Sequence, residues 1–260
     1  MFVMKSLHYI FVLTCIYCSI NIYSLPSENN ITNARVLPQQ VKVGPFFKGS
    51  QATITADLPE CSGVVVKLTG KDKEIVLNEK GKKAFIWLNI AQVTVRNAPS
   101  IYMLTSTDSL DKLCSAETQT KEMLGYNSLK DKIAFNSTLA LRGNEFEEFI
   151  KFKEHTGCYS TNTNAEIILN SDDTRTLKAS IKIPSFISPE EYRIVLYCFY
   201  EGNLIDKAEL NLSVEEVGLP LYIKNLATNS PAIYGLSSII VAMIAGSIIG
   251  FVFTKKRSKK

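Results

Sequence analysis

The stretch AFIWLNIAQVTVRNAPSIYMLTST, residues 84–107, carries the strongest fold signal in this chain. It holds the single tryptophan, Trp87, and is dense in aromatic and β-branched residues, which favour strands. Side chains along a strand alternate between its two faces, and both faces of 84–88 are apolar. We therefore expect buried core strands here rather than an aromatic ligand-binding face.

Short β-like runs separated by turn residues flank this stretch on both sides. GVVVKLTG, residues 63–70, is a compact apolar run of the kind found in fully buried strands. EIVLNEKGKKAFIWLNI, residues 74–90, indicates a hairpin that turns within 78–81. Strands this short, with frequent turn signals, predict an Ig-like β-sandwich. The pattern leaves open whether the β regions form one sandwich or two.

A charged, helix-like segment at about 108–156 interrupts the β pattern, which returns at 160–217. Within it, Phe146, Phe149, Ile150 and Lys153 recur at the spacing of one helix face. Such a stripe is typical of core packing. The predicted fold class is therefore mainly β, with Ig-like sandwich regions, an inserted helical segment and one C-terminal transmembrane helix.

An uncharged apolar run near the C-terminus predicts that transmembrane helix. Residues 232–253 are long enough for a bilayer core about 30 Å thick. A basic tail follows at once, and the positive-inside rule then places this tail in the cytoplasm and the domain outside it. The membrane-orienting residues of the tail are Lys255, Lys256, Arg257, Lys259 and Lys260.

Small residues recur every four positions within the predicted span. They are Ala242, Gly246 and Gly250. Small side chains at this spacing let two helices approach closely. We therefore expect helix packing here, either with an integral membrane partner or with a second copy of the chain.

The N-terminus has the features of an export signal. Lys5 precedes an apolar run, and Ser24 is a plausible cleavage position. A retained signal anchor is the alternative. The predicted organisation is a signal peptide at 1–24, a flexible leader at 25–37, an exported β-rich domain at 38–217, a juxtamembrane linker at 218–231, the transmembrane helix at 232–253 and the tail at 254–260. The exported domain comprises a β region at 38–107, the helical segment at 108–156 and a β region at 160–217.

The charge distribution excludes a nucleic-acid partner. Of the 29 basic residues, six lie near the two ends, which leaves 23 basic against 25 acidic residues, a net charge of −2, in residues 25–231. A nearly neutral domain lacks the basic footprint of nucleic-acid binding. The basic excess belongs to the membrane ends.

Four cysteines fall in the predicted exported domain, where the compartment is oxidising. An even number in such a compartment suggests two disulfides, with three pairings open. One pairing joins Cys114 to Cys158 across the helical segment and Cys61 to Cys198 between the two β regions.

Residues that could carry catalysis are sparse. His155 is the one histidine outside the signal segment, and a zinc site needs three or four ligands. Acidic neighbours at 172–173 and 190–191 point apart on regular elements, so neither pair forms an acid–base site by itself. We expect no metal, no cofactor and no enzymatic activity.

Several stretches together resemble the alphaproteobacterial putative transmembrane protein family, over about residues 40–255. The stretches, in the same order as in that family, are GVVVKLTG (63–70), KAFIWLN (83–89), RNAPSIYMLTSTDSLDKL (96–113), EFIKFKEHTGCYS (148–160), IPSFISPEEYRIVLYCFYEGNLI (183–205) and EVGLPLYIKNLATNSPAIYGL (216–236). The resemblance implies a periplasmic β-rich domain anchored in the bacterial inner membrane. Members are often encoded beside sulfite-exporter-type permeases, which implies a transport-accessory role. The four exported cysteines depart from the family pattern.

These observations predict a non-enzymatic, single-pass, membrane-anchored periplasmic protein that assists an inner-membrane complex such as a sulfite-exporter-type permease. Two alternatives stay open. Sequons at Asn30, Asn136 and Asn211 would suit an Ig-like receptor or adhesion module of a eukaryotic secretory membrane. A periplasmic enzyme would need an unrecognised site, for which the acids at 172–173 and 190–191 are candidates.

Overall fold

The structure is a computed structural model that describes residues 30–83, 85–138, 143–170 and 174–257. The predicted signal peptide lies outside the described residues. The strands are β1 (Thr32–Leu37), β2 (Gln40–Val43), β3 (Ser50–Leu58), β4 (Gly63–Thr69), β5 (Asp72–Lys83), β6 (Ile86–Pro99), β7 (Tyr102–Ser106), β8 (Ala134–Ser137), β9 (Tyr159–Asn162), β10 (Glu166–Leu169), β11 (Arg175–Ile183), β12 (Glu191–Tyr200) and β13 (Asn203–Glu216). The helices are α1 (Leu110–Leu113), α2 (Ala116–Lys121), α3 (Asn127–Lys130), α4 (Glu145–His155), α5 (Leu219–Asn229) and α6 (Pro231–Arg257).

These strands form three sheets. A four-stranded sheet has the order β1-β3-β11-β10, a six-stranded sheet has the order β2-β13-β12-β4-β7-β9, and β5-β6-β8 form the third. Strand β3 pairs with β11, and β4 pairs with β12. Because each of these pairs joins the first predicted β region to the second, the two regions build one sandwich.

The four-stranded and six-stranded sheets pack face to face through a common core. In β3, alternate residues from Ala52 to Leu58 point into it, as expected for a strand with one buried face. From the facing sheet, Val66 and Leu196 enter the same core. The mainly β sandwich with a helical insert is therefore confirmed.

The six-stranded sheet is buried on its other face as well. Consecutive residues of β4 are fully buried, because Val66 faces the sandwich core while Val65 faces a second core. Leu129 from the helical segment and Phe149 from α4 cover this second face. The continuous apolar pattern of GVVVKLT follows from burial on both sides.

Strand β4 continues into β5, and β6 continues into β7. Because β4 pairs with β7 and β5 pairs with β6, the four strands form one long two-stranded ribbon. Thr69 pairs with Tyr102 at the end of the sheet, and Asp72 pairs with Pro99 just beyond it. The ribbon therefore leaves the six-stranded sheet where β4 ends. Its base packs against the second core through Val95.

The ribbon turns later than the sequence predicts. Lys83 pairs with Ile86, so the chain reverses after Lys83 and not within 78–81. Gly81, which suggested a turn, pairs with Leu88 inside the ladder. The core expectation for this end of the ribbon is wrong, because Phe85 is 91% exposed and Ile86 and Leu88 are also exposed. The Trp87 side chain lies outside the described part.

Two predicted connecting segments have regular structure. Residues 32–37, placed in the flexible leader, form β1, which pairs with β3 and buries Val36 in the sandwich core. The linker at 218–231 contains helix α5. Both segments contain polar or turn-forming residues. The leader segment nevertheless forms the edge strand β1, and the linker forms α5, which leads directly into α6.

The helical segment is divided into short helices that polar side chains of the sheet hold in place. The predicted stripe is confirmed in α4, where Phe149, Ile150 and Lys153 are buried. Tyr102 of β7 holds the segment that follows α2. Its hydroxyl donates to the carbonyl oxygen of Met123 (2.9 Å) and accepts from the backbone N–H of Gly125 (2.7 Å). These bonds pair two backbone groups of the connection between α2 and α3.

We predict that Tyr102→Phe destabilises the domain by about 1–3 kcal/mol, since it leaves the Met123 carbonyl and the Gly125 N–H without their partner. Thermal unfolding of the full chain in detergent micelles measures the loss. Tyr200→Phe is the control, because Tyr200 is exposed at the end of β12, and it should unfold like the wild type. Equal stability of both variants would show that the Tyr102 hydroxyl does not hold the helical segment.

Candidate functional site

A basic cleft lies beside the helical segment, on the face of β12 and β13 that the helices leave open. It has a volume of about 580 Å³. Its floor holds Lys67 and Tyr197, and the end of α2 supplies Glu122. Other cations of the cleft are Lys71, Lys121, Lys132, Arg193 and Lys207. This concentration of amines makes it the most polar concave site among the described pockets.

Lys67 stands at the centre of the cleft and is buried. Its Nζ donates to the carbonyl oxygen of Glu122 and lies 5.0 Å from the ring centroid of Tyr197. Burial lowers the pKa of Lys67 to about 8, with the negative charge of Glu122 acting in the opposite direction. Both contacts bind the amine to the protein itself, and they fix the end of α2 to the sheet.

The outer cations of the cleft are partly paired. Lys132 Nζ lies 2.7 Å from the carboxylate of Asp72, and Arg193 Nε lies 4.0 Å from that of Glu209. Small anions or polar groups fit the chemistry of the remaining amines, which are Lys71, Lys121 and Lys207. The sequence offered one signal for this site, which is a lysine inside the apolar run GVVVKLTG.

A second buried amine, Lys153, holds α4 on the ribbon. Its Nζ donates to the carbonyl oxygen of Ser100 (3.0 Å) and lies 5.0 Å from the ring centroid of Tyr159. Burial lowers the pKa of Lys153. Lys153 is therefore a packing residue with a polar end, which agrees with its place in the predicted stripe.

The acidic neighbours proposed for an enzyme site do not converge in the described part. Glu190 accepts a hydrogen bond from Ser100 and lies 3.1 Å from Lys73 Nζ, whereas its neighbour Glu191 is exposed. Residues 172–173 lie outside the described residues. Among the described side chains, no three of His, Cys, Asp or Glu are grouped as metal ligands, and His155 sits in the last turn of α4.

The four cysteines of the domain, Cys61, Cys114, Cys158 and Cys198, are free thiols in the structure. Cys61 and Cys198 are buried neighbours, and a hydrogen bond from Cys198 lowers the pKa of Cys61. The same contact, together with burial, raises the pKa of Cys198. Cys114 instead donates to the carbonyl oxygen of Leu110 (3.6 Å), while Cys158 lies at the border of the two cores. The structure thus brings Cys61 and Cys198 of the predicted pairing into contact.

Helix α6 contains the predicted membrane span. Residues Pro231–Phe251 are long and apolar enough to cross a bilayer, with a mean hydropathy of 2.1, and none of this window is buried. Within the span, a methyl group added to Gly246 or Gly250 would meet open space, and Ala242 lies one turn earlier.

The basic residues of the tail lie partly within α6. The helix runs through Lys255 and Lys256 to its end at Arg257. Lys259 and Lys260 lie outside the described residues.

The family comparison agrees with this arrangement of a β-rich domain and one apolar helix. The model of a family described as "putative transmembrane protein" (Alph_Pro_TM) matches residues 33–255. The chain belongs to this family. No curated protein and no solved structure matches the chain. Membership and the apolar helix together support a single-pass membrane protein, and the family resemblance seen in the sequence is confirmed.

The lowered pKa of Lys67 leads us to expect that the stability of the fold depends on pH. In the folded chain its pKa is about 8, and in the unfolded chain it returns to its ordinary value of 10.5. Between these values the unfolded chain binds more protons, so the cost of burying this charged amine falls and the fold gains stability as the pH rises. We expect the wild type to gain about 1–2 kcal/mol relative to Lys67→Met between pH 8 and 9.5.

The measurement is thermal unfolding of both proteins in detergent micelles across this pH range. Lys71→Met is the control, because Lys71 is an exposed residue of the same cleft, and it should follow the wild type. Parallel pH profiles of the wild type and Lys67→Met would contradict the assignment.

We predict that Cys61 and Cys198 form a disulfide in the protein purified from membranes under oxidising conditions. Non-reducing peptide mapping should recover the two peptides as one linked species. Cys61→Ser should release Cys198 for alkylation in denaturant, while Cys114→Ser should leave the link intact. Full alkylation of both Cys61 and Cys198 in the unreduced wild type would refute the pairing.

Proposed function

We propose that the protein is a non-enzymatic accessory subunit of an inner-membrane complex, such as one built around a sulfite-exporter-type permease. Its β-rich domain stands in the periplasm, and its single span packs against the integral membrane partner. The observation that carries the proposal is the apolar span with its row of small residues, Ala242, Gly246 and Gly250.

The small-residue row supports packing against another helix because helix association in lipid depends on close contact. Apolar side chains gain little by leaving lipid for a protein surface of equal polarity, so van der Waals packing and backbone approach decide the affinity. Gly246 and Gly250 lie about one helical turn apart on the same side of α6, where the lack of a side chain lets a neighbouring backbone approach.

The periplasmic placement is supported by the order of elements along the chain. The domain precedes α6, and basic residues begin directly after the apolar window, from Lys255 onward. Lysine and arginine next to a span are retained on the cytoplasmic side. With the tail in the cytoplasm, a single span leaves the domain on the other side.

The tip of the ribbon supports a partner outside the bilayer as well. Phe85, Ile86 and Leu88 are exposed there, at the end of two strands that extend beyond the sheet. Contiguous apolar side chains at the end of a projecting element are typical of a protein contact surface. An exported loop of the membrane partner would find these side chains accessible.

The test is photo-crosslinking of the full chain in native membranes, with a crosslinker at position 249 beside the small-residue row. Recovered products are identified by mass spectrometry. We expect an integral membrane partner in the wild type and a loss of at least about fivefold in Gly246→Leu/Gly250→Leu, since the added bulk separates the helices by more than a side-chain contact.

The matched control adds bulk on the opposite face of the same helix. At about 100° per residue, Ser237 and Ile248 lie roughly opposite the glycines, so Ser237→Leu/Ile248→Phe should keep the wild-type crosslinks. Equal recovery from both double variants would contradict the role of the glycine face. Crosslinks between copies of the chain alone would replace the accessory role by self-association.

A further inference from the structure

One edge of the six-stranded sheet lies where the chain leaves the domain for the span, as the strand directions show. Strand β13 ends at Glu216 and continues through α5 into the span. Strand β2 runs parallel to β13, and β12 runs antiparallel to it. The end of β2 and the start of β12 therefore lie at the same edge as the end of β13. We call this edge the anchor edge, with its two loops 44–49 and 184–190.

Each loop of the anchor edge presents a phenylalanine to solvent. Phe46 is 92% exposed and Phe186 is 83% exposed. In each loop the next residue is directed inward, since Phe47 packs against the sandwich core and Ile187 is part of it. The inward neighbours hold the loops in place, so the exposed rings are fixed features of a packed edge.

The two loops also adjoin each other. A side chain at Gly49 would come within 2.7 Å of the carbonyl oxygen of Ile183, where the second loop begins. A backbone hydrogen bond from Val217 to the carbonyl oxygen of Val43 (2.9 Å) ties the first loop to the exit of β13. The aromatic loops and the start of the membrane anchor thus share one surface.

Helix α5 adds an uncovered apolar face next to this surface. Leu219, Tyr222 and Ile223 are exposed and follow the i, i+3, i+4 spacing of one helix face. A helix with such a face directly before a span is typical of the membrane interface, where aromatic rings with one polar atom are enriched.

The charges of the anchor edge suit a lipid surface. Residues 44–49 and 218–231 contain no aspartate or glutamate and include Lys48 and Lys224, while the loop 184–190 has Glu190 as its one acid. Of the acids at the neighbouring strand ends, Glu190 is paired with Lys73, and Glu216 lies 3.9 Å from Lys224. Glu191 and Glu215 are exposed. With Glu190 paired to Lys73, the projecting segments themselves are neutral or basic, as contact with anionic headgroups requires.

We propose that the anchor edge rests on the lipid surface of the bilayer that α6 crosses, with the rings of Phe46 and Phe186 in the interfacial layer. Burying each ring removes apolar surface from water and offsets the cost of holding the domain in one orientation. The span and these two rings then form three separate contacts with one bilayer. This inference needs the membrane anchor and is independent of the permease partner.

The test places a tryptophan at each contact in the full-length chain. In a Trp87→Phe background, Phe46→Trp, Phe186→Trp and Tyr200→Trp are reconstituted separately into phosphatidylcholine–phosphatidylglycerol vesicles whose acyl chains carry bromine. Tyr200 is the matched control, because it is an exposed aromatic residue at the opposite end of β12. Bromine quenches only those indoles that reach the lipid.

We expect at least about threefold stronger quenching at positions 46 and 186 than at 200. Circular dichroism identical to the wild type confirms that each variant is folded, as exposed positions allow. Quenching at 46 and 186 no stronger than at 200 would overturn the proposal and would show that these rings face water or a protein partner. Because no permease is present in the vesicles, this outcome leaves the accessory role to its own test.

Discussion

The middle strands of the six-stranded sheet bury both of their faces, and the other layers of the domain follow from that requirement. Val65 and Val66 are neighbours in β4, yet neither has measurable exposure. Because consecutive side chains of a strand point in opposite directions, the sheet must be covered twice. The four-stranded sheet covers one face. The helical segment and the base of the ribbon cover the other.

A layer of short helices leaves more backbone carbonyl groups without hydrogen-bond partners than a second sheet would. Short helices leave many carbonyl groups unpaired, and these groups lie close to an apolar surface. Tyr102 and Lys67 bond carbonyls of the chain that leaves α2, and Lys153 of α4 bonds the carbonyl of Ser100 between β6 and β7. The lysines thereby lose solvation, and burial lowers the pKa of each. These two perturbed amines therefore lie where layers of the domain are joined.

The sequence predicts the sandwich well because buried faces of strands and helices carry apolar residues at regular spacing. The run GVVVKLTG and the stripe of α4 were recognisable for this reason. The tip of the ribbon was misinterpreted, because an apolar run such as 84–88 has the same composition whether a sheet covers it or solvent surrounds it. Residues 32–37 were assigned to the leader, since a strand at the edge of a sheet depends on its partner β3 more than on its own residues.

The candidate site was less accessible to sequence reasoning than the fold. The basic cleft draws on residues from β4, β12, β13 and the end of α2, which only the tertiary fold brings together. The one local sign of the cleft in the sequence was Lys67 within the apolar run GVVVKLTG. The contact between Cys61 and Cys198 was one of three pairings that counting allowed, and the pairing of β4 with β12 selects it.

The continuous ladder from β4–β7 into β5–β6 has a mechanical consequence. The two strands that project to the exposed tip are the same two strands that run through the centre of the domain. A load applied at the tip along the strand axis is therefore shared as shear by a long series of backbone hydrogen bonds. Backbone hydrogen bonds also join residues 70–71 to 100–101 between the two ladders, so displacement at the tip reaches the sheet that lies between the two cores.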